Sequence, residues 1–228
     1  MNITNKSTVE LIDHMGTDLT VVNAARVSFD KESNLECLYI DNELSCCLNE
    51  KDEKLINYLA KHNHWSPFAH TSIQIRVTAP IFVARQLVKH QVGGVWNEVS
   101  RRYVDDEPTF YFPDKWRKRA ENKKQGSSDE EIILDGINYH HPKAIAQNIL
   151  DCYNGLLDQN IAPEQARMIL PQNMMTSWYW TGSLMFFYRV WKQRTNDHAQ
   201  LETQEVAKQI GEICEQLFPV SWNALTKE

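Results

Sequence analysis

The sequence lacks the features that would assign it at once to several large classes of protein. No stretch approaches the ~20 consecutive apolar residues of a membrane-spanning helix, and the first residues lack the apolar core of a signal peptide. There is no C-x-x-C pair, which leaves a zinc ribbon or a dithiol redox site without support. There is also no G-x-G-x-x-G motif and no Walker loop. Any bound nucleotide is therefore expected to be held by side chains and a turn.

Basic residues are in the minority, with 24 Lys and Arg against 30 Asp and Glu, which gives a net charge of −6 over 228 residues. A globally acidic protein is a poor candidate for a general nucleic-acid coat, so we expect neither a nucleic-acid nor a membrane partner. The five cysteines are odd in number and follow no secretion signal, which indicates reduced thiols in a cytoplasmic protein. A hydrophobic content of 42% argues against a disordered chain.

The patterns that are present predict a single α+β domain over residues 1–228. We expect a central, mostly antiparallel sheet with flanking helices and a helical C-terminal part, because strand patterns come mostly early and helical patterns mostly late. The clearest strand covers residues 71–79, where Ile73, Ile75 and Val77 alternate with polar residues.

Helices are predicted where apolar residues recur at spacings of three and four. They begin near Asp18 and Glu53, run from Pro80 to about Val92, carry a stripe of Ile145, Ile149, Cys152 and Leu156, and begin again near Glu164, Ser183 and Asp197. Asp18 and Asp197 are the expected N-cap residues of their helices. Residues 31–54 and 115–131 are polar and charged, and predict irregular excursions.

The helix after residue 80 carries the first candidate site. Arg85 and Lys89 are four residues apart and share one helix face, while Gln86 and His90 form the adjacent row. Like charges at this spacing repel, so an anion between them would relieve the repulsion. A solvated basic face explains the same spacing, and both interpretations stay open.

A second candidate follows the Gly93-Gly94 pair. Glu98, Ser100, Arg101 and Arg102 lie within five residues of one another. A serine hydroxyl, neighbouring backbone N–H groups and an arginine fork together make a cradle for a phosphate.

Three histidines, His62, His64 and His70, lie within nine residues. No acidic or thiol ligand stands close by in the sequence, and no H-E-x-x-H motif is present, so a metal site has little support. Stacking or hydrogen bonding to a planar ligand is favoured, because aromatic and polar residues alternate through this segment.

Two more arginines stand out in the C-terminal part. Arg167 lies in an otherwise apolar run, and a buried arginine is costly unless an anion or acceptor groups pair with it. A structural ion pair is the alternative explanation. Arg194 lies near a helix end, followed by His198 and Gln200.

These residues carry a resemblance to a known family. The flavin-dependent thymidylate synthases have a signature of Arg-His-Arg, seven or eight residues, then Ser, one residue, Arg and Tyr. Residues 80–103 resemble it, reading Lys89-His90-Gln91, eight residues, then Ser100-Arg101-Arg102-Tyr103. Segments that also look like the family, in order along the chain, are residues 24–29, 62–68, 79–86, 166–171, 180–181, 194 and 198–200.

The resemblance implies a fold, an activity and an assembly. The expected reaction is the reductive methylation of dUMP to dTMP, with 5,10-methylenetetrahydrofolate as the carbon donor and FAD, reduced by NADPH, as the hydride source. The expected form is an α+β homotetramer in which several subunits build each site. The small molecules dUMP, folate and NADPH are then the partners, and no metal is required.

The resemblance also implies roles for individual residues, with Arg194 as the catalytic group that stabilises negative charge on the pyrimidine. The residues expected to bind dUMP are Gln86, Leu87, Val88, Lys89, Glu98, Val99, Ser100, Arg101, Arg102, Arg167 and Arg194. Those expected to bind FAD are Ser66, Lys89, His90, Gln91, Asn97, Glu98, Ser183, Arg189 and His198. His64 and Tyr103 are expected in the folate or nicotinamide region.

The chain departs from the family pattern at five positions. Lys89 and Gln91 replace the two signature arginines, so one position loses the bidentate fork and the other loses its charge. Ser183, Met185 and Arg189 stand where many members place Asn, Arg and Asn for flavin binding. A nucleotide- or nucleic-acid-binding relative without catalysis, using Arg101, Arg102 and residues 115–124, is the main alternative. A metal hydrolase that uses the three histidines is a further one.

Overall fold

A computed structural model of the chain describes residues 1–40, 43–104, 106–121, 126–134 and 141–227. Its strands are β1 (Asn2–Thr4), β2 (Thr8–Met15), β3 (Glu36–Ile40), β4 (Glu43–Cys47), β5 (Ser72–Pro80), β6 (Gly94–Glu98), β7 (Thr109–Tyr111), β8 (Trp116–Arg119), β9 (Ser127–Ile132) and β10 (Met175–Gly182). Its helices are α1 (Asp18–Arg26), α2 (Glu50–Lys61), α3 (Ile81–Leu87), α4 (Pro142–Asp158), α5 (Pro163–Ala166), α6 (Leu184–Arg194), α7 (Leu201–Leu217) and α8 (Pro219–Thr226).

The centre of the fold is a four-stranded sheet in the order β2-β5-β10-β6, with every neighbouring pair antiparallel. Ile73, Ile75 and Val77 on β5 are buried, as the alternation in the sequence predicts. The α+β class and the antiparallel central sheet are therefore confirmed. Strand β10 was not expected within the C-terminal part, yet it lies in the middle of this sheet.

Three tryptophans pack together on the buried face of the sheet. Trp178 and Trp180 alternate on β10 and are almost completely buried, and Trp96 on β6 stacks on Trp178 with ring centroids 4.2 Å apart. Helices α6, α7 and α8 supply apolar residues to the same core, among them Phe187, Ile210 and Trp222. A smaller core lies beneath α4.

Helix α4 buries a face one position away from the predicted stripe. Ala146, Leu150 and Tyr153 face the smaller core, whereas Ile145 and Cys152 are exposed. Both stripes have helical spacing, so periodicity alone does not choose between them. The residues that pack against α4 in the smaller core decide which of the two stripes is buried.

The first and last helices are joined by Asp18. Thr17, rather than Asp18, is the N-cap of α1. The Asp18 carboxylate instead accepts hydrogen bonds from the backbone N–H of Val220 at 3.0 Å and of Ser221 at 2.8 Å. It therefore satisfies free donors in the first turn of α8, where a negative charge also complements the helix dipole.

The prediction of an irregular excursion over residues 31–54 is wrong. Strands β3 and β4 form an antiparallel hairpin there, and α2 begins at Glu50. Cys37 and Cys46 are directly opposed in this hairpin, with Cα atoms 4.0 Å apart, and form a disulfide. The expectation of reduced thiols is therefore wrong for these two residues, because strand pairing brings them together.

Residues 115–131 are also regular in part, since β8 and β9 pair as an antiparallel hairpin. Its lysines pair with its own acids: Lys115 Nζ lies 3.4 Å from Glu131 Oε2, and Lys118 Nζ lies 3.2 Å from Glu130 Oε2. The predicted basic stretch continues into residues 122–125, which lie outside the described residues. Across the described part of the chain, no helix is both long and apolar enough to cross a membrane.

Two predicted helix boundaries near the candidate site also differ. Helix α3 ends at Leu87 rather than near Val92. Helix α7 begins at Leu201 with Gln200 as its N-cap, because residues 196–199 form a turn in which Ala199 N donates to Asn196 O at 2.8 Å. Asp197 is therefore not the N-cap. Helix α6 begins next to Ser183 as expected, and Ser183 is its N-cap, with its Oγ accepting from Phe186 N at 3.2 Å.

Candidate functional site

The end of α3 meets the end of α6 at Arg194. The Nε of Arg194 donates to Nε2 of His90 at 2.9 Å, and its Nη2 donates to the backbone oxygen of Gln86 at 2.8 Å. This carbonyl is free because α3 stops one residue later. The early end of α3 therefore supplies an acceptor that holds the guanidinium.

The electrostatics of the pair follow from this contact. Burial, and then the positive charge of Arg194, lowers the pKa of His90 below its ordinary value. Burial also lowers the pKa of Arg194, which nevertheless remains charged at neutral pH. A neutral imidazole that accepts through Nε2 is the form that suits both groups.

Gln86 is held at its side chain as well. Its Nε2 donates to Gln200 Oε1 at 2.6 Å, and its Oε1 accepts from the Thr203 hydroxyl at 3.1 Å. Sequence reasoning missed this role of Thr203, since its spacing along α7 indicates only a core position.

A cavity of about 570 Å³ opens beside these groups. It is lined by Gln86, Arg117, Gly126, Ser127, Arg194, His198, Ala199, Gln200 and Leu201. Its lining includes two basic side chains, Arg117 and Arg194, and among the described residues no acidic one, which suits an anionic or hydrogen-bonding ligand.

Arg117 is a second residue that the sequence did not single out. Its Nη2 lies 2.7 Å from Glu202 Oε1, and its Nε donates to Ser127 Oγ at 2.6 Å. Arg117 and Glu202 are far apart in the sequence, and no local pattern links them. Their ion pair fastens the β8–β9 hairpin to the start of α7, at the edge of the cavity.

The loop after β6 forms the second group of predicted residues. Ser100 Oγ accepts from Arg102 N at 3.3 Å, from Arg102 Nε at 3.2 Å and from Arg167 Nη1 at 3.5 Å. With these donors around its oxygen, the hydroxyl proton remains available for an incoming acceptor. Neither arginine forms an ion pair with a described carboxylate. Two guanidinium groups that have no ion-pair partner among the described residues, around a donor hydroxyl, fit an anion such as a phosphate.

Arg167 does not match the expectation of a buried arginine. It is exposed at the start of a short 3₁₀ turn, Arg167–Ile169. There is therefore no cost of burying its charge that a partner would have to offset. Arg101 differs from its neighbours because its guanidinium turns back to the backbone oxygen of Asp106. Tyr103 is exposed, and the Arg102 guanidinium lies 4.9 Å from its ring centroid.

Glu98 is fixed at the end of β6. Its Oε1 accepts from the Thr176 hydroxyl at 2.9 Å, and its Oε2 accepts from Trp96 Nε1 at 3.3 Å. Glu98, Val99, Arg101 and Arg167 line a cavity of about 310 Å³. This cavity shares no lining residue with the one beside Arg194.

The remaining predicted residues lie along the ends of α3, β6 and α6. Lys89 and Gln91 are exposed after α3, Asn97 is exposed on β6, and Val88 is half-buried. Leu87 is fully buried, so only its backbone is available to a ligand. Met185 also faces the core.

The histidine segment lies against aromatic and cationic groups. His64 stacks near Tyr58 with ring centroids 6.0 Å apart, and the Arg189 guanidinium lies 5.7 Å from the ring of Trp65, which precedes Ser66. Within the described ranges, no group of three or more His, Cys, Asp or Glu side chains is arranged to hold a metal ion.

A family model described as thymidylate synthase complementing protein matches residues 10–220 of this chain. The chain belongs to this family. A flavin-dependent thymidylate synthase from Thermus thermophilus is 36% identical over 97% of this chain and 76% of the relative. One from Thermosipho africanus is 34% identical over 99% of this chain and 93% of the relative.

A solved structure resembles this chain over nearly its whole length. The UMP/dUMP methylase PolB from Streptomyces cacaoi, bound with 5-Br dUMP, superimposes with a TM-score of 0.77 at 31% identity. The match covers 99% of this chain and 97% of the methylase chain.

Proposed function

We propose that this protein converts dUMP to dTMP by flavin-dependent reductive methylation, with 5,10-methylenetetrahydrofolate as the carbon donor and NADPH as the reductant. The observation that carries the proposal is Arg194, whose guanidinium is fixed by His90 and by the Gln86 carbonyl at the wall of a cavity. The names of the relatives, and the nucleotide bound to the structural neighbour, support the same reaction class.

The nucleotide phosphate is assigned to Ser100, Arg102 and Arg167. Their three convergent groups provide a donor hydroxyl and two guanidinium forks without a described carboxylate to neutralise them. The pyrimidine is assigned to the Arg194 cavity, where Gln86 presents its amide. Glu98 lines the other cavity, so we propose that it completes the pocket from a neighbouring subunit. Arg194 has N–H groups left after its two hydrogen bonds, and these stabilise negative charge as it develops on the ring.

A cysteine nucleophile has no place in this mechanism. Cys37 and Cys46 form a disulfide, and burial raises the pKa of the Cys214 thiol far above neutrality. Neither described cavity is lined by Cys47 or Cys152. Polarisation of the uracil by fixed charge therefore replaces covalent attack.

FAD is assigned to the surface between α3 and α6. Exposed Lys89 and Arg189 offer cations for its phosphates, while Trp65 beside Arg189 offers an aromatic face for a planar ring, so the donor set fits the group. His90, Gln91, Asn97, Ser66, Ser183 and His198 are the further FAD contacts that we propose, and His64 and Tyr103 are assigned to the folate or nicotinamide region. When bound, FAD supplies the hydride that reduces the transferred carbon to a methyl group.

We further propose a cytoplasmic homotetramer of one-domain subunits. Arg167, which donates to Ser100, lines one cavity, and Arg194 lines a separate one in the same chain. In a site shared between subunits, the phosphate-binding residues of one chain lie beside the Arg194 cavity of another.

The proposal is tested by the absorbance spectrum of the purified protein, followed by an assay with dUMP, methylenetetrahydrofolate and NADPH. We expect bound flavin and formation of dTMP that requires all three substrates. A protein that neither carries nor takes up FAD contradicts the proposal. A protein that binds dUMP but forms no dTMP supports the alternative, a nucleotide-binding relative without catalysis. The departures from the family signature at Lys89 and Gln91 would then explain the lost activity.

A further inference from the structure

Gln86 is the residue at which three helices of the candidate site are joined. Its backbone oxygen accepts from Arg194 on α6, and its side-chain amide bonds to Gln200 and Thr203 at the start of α7. Gln86 itself lies in the last turn of α3. Gln86 lines the cavity, so a change in the hydrogen bonds of its side chain changes the wall of that cavity.

The two partners of the amide differ in how firmly they are placed. Thr203 is fully buried, and its backbone N–H donates to Gln200 O at 2.9 Å in the first turn of α7. A β-branched side chain in a helix has few rotamers, so the Thr203 hydroxyl is held in position by packing and by its own backbone. Gln200 is the N-cap residue of α7 and lines the cavity.

The hydrogen-bonding capacity of the amide shows what remains for a ligand. A carboxamide has two N–H groups and two lone pairs on oxygen. In Gln86, one N–H is used by Gln200 Oε1 and one lone pair is used by the Thr203 hydroxyl. One N–H is left, and its direction is set by the two bonds already made.

We propose that Thr203 and Gln200 are positioning residues, which orient the Gln86 amide so that its remaining N–H meets a carbonyl oxygen of the pyrimidine. This inference rests on the proposed function, because it takes dUMP as the ligand of the cavity. Neither residue needs to touch the nucleotide for the effect. The affinity for the nucleotide then depends on the Thr203 hydroxyl, which is buried behind the cavity wall.

The test compares Thr203→Val, which removes the hydroxyl and keeps the shape, with Thr203→Ser, which keeps the hydroxyl. Calorimetric titration of the FAD-loaded enzyme should give a Kd for dUMP about tenfold higher in Thr203→Val, the effect of losing roughly one hydrogen bond. Thr203→Ser should restore most of the affinity, and flavin content should be unchanged in both variants. Gln200→Met provides an independent route to the same loss if Thr203→Val folds poorly.

The matched control is Ser221→Ala, which removes a fully buried hydroxyl on α8 that has no hydrogen-bond partner among the described residues. A second readout is the hydrogen-exchange rate of the Gln86 side-chain amide, followed by NMR. This rate should rise in Thr203→Val and stay unchanged in Ser221→Ala, with or without nucleotide.

Unchanged dUMP affinity in Thr203→Val, or unchanged exchange of the Gln86 amide, overturns the inference. Failure of the wild-type protein to bind dUMP contradicts the proposed function instead. The amide exchange still decides in that case whether Thr203 holds Gln86.

Discussion

The Nε of Arg194 lies 2.9 Å from Nε2 of His90, so the histidine must present a lone pair to the guanidinium. A protonated imidazole has no lone pair on either nitrogen and would place a second positive charge against Arg194. Protonation of His90 therefore removes one of the two hydrogen bonds that hold the guanidinium and leaves the bond to the Gln86 oxygen.

Acidification should destabilise the fold through His90. Its pKa is lowered in the folded state, first by burial and then by Arg194, whereas the unfolded chain takes up the proton near the ordinary value of about 6.5. Below that pH the unfolded state binds more protons, so the free energy of unfolding falls until the folded pKa is passed. Urea unfolding between pH 8 and pH 5 should show this loss in the wild type and a smaller loss in His90→Gln. An equal pH dependence in both proteins would assign the effect to other groups.

Removing Arg194 should separate catalysis from flavin binding. We expect Arg194→Ala to lower kcat by about 10²–10³-fold, the usual cost of one preorganised charge, while flavin remains bound. The pKa of His90 should rise in this variant but stay below its ordinary value, because burial is the larger cause of the shift. Steady-state kinetics, flavin absorbance and NMR titration of the His90 ring measure the three effects. Turnover at the wild-type rate would remove Arg194 from its catalytic role.

Two glycines permit Phe186 to lie across the end of the sheet. A Cβ built on Gly182 or on Gly94 would overlap the Phe186 ring. Gly182→Ala should therefore force the ring out of its place in the core and cost about 1–3 kcal/mol of unfolding free energy. Gly155, in the last turn of α4, has no atom within 4 Å of such a Cβ apart from its chain neighbours and its own helix backbone.

The matched control is Gly155→Ala, which should stabilise the protein by about 0.5–1 kcal/mol, because alanine loses less backbone freedom than glycine when a helix forms. Urea unfolding curves of both variants decide the matter. Two changes of the same sign would contradict this account of the glycines.

The fold was predictable from sequence where one face of an element is buried and the pattern is strict. Ile73, Ile75 and Val77 alternate, and they lie in the core as predicted. Strand β10 escaped prediction because Trp178, Tyr179 and Trp180 follow one another without polar residues between them, which is typical of a central strand and of a buried helix alike. The β3–β4 hairpin escaped because its apolar residues Leu38 and Tyr39 are exposed, so cross-strand pairing rather than burial forms it.

The candidate site was predictable to the extent that its residues lie in local motifs. Ser100, Arg102 and His90 stand in one recognisable stretch. Arg117 and Thr203 have no such signal, because their partners lie on other elements and the contacts depend on the tertiary fold.

The disulfide should control the order of the β3–β4 hairpin without reaching the site. A two-stranded hairpin has little stability by itself, and Cys37–Cys46 is its covalent cross-link. Its base is fixed separately by buried Asp52, which pairs with Arg26 and accepts from the Ser33 hydroxyl at 3.1 Å. Replacing both Cys37 and Cys46 with Ser should therefore speed hydrogen exchange in β3 and β4 by at least about tenfold, leaving exchange in α2 and dTMP formation unchanged. Mass spectrometry of the wild type with and without a reductant is the matched comparison. Unchanged exchange in the hairpin, or faster exchange in α2, would show that the cross-link and the base do not act separately.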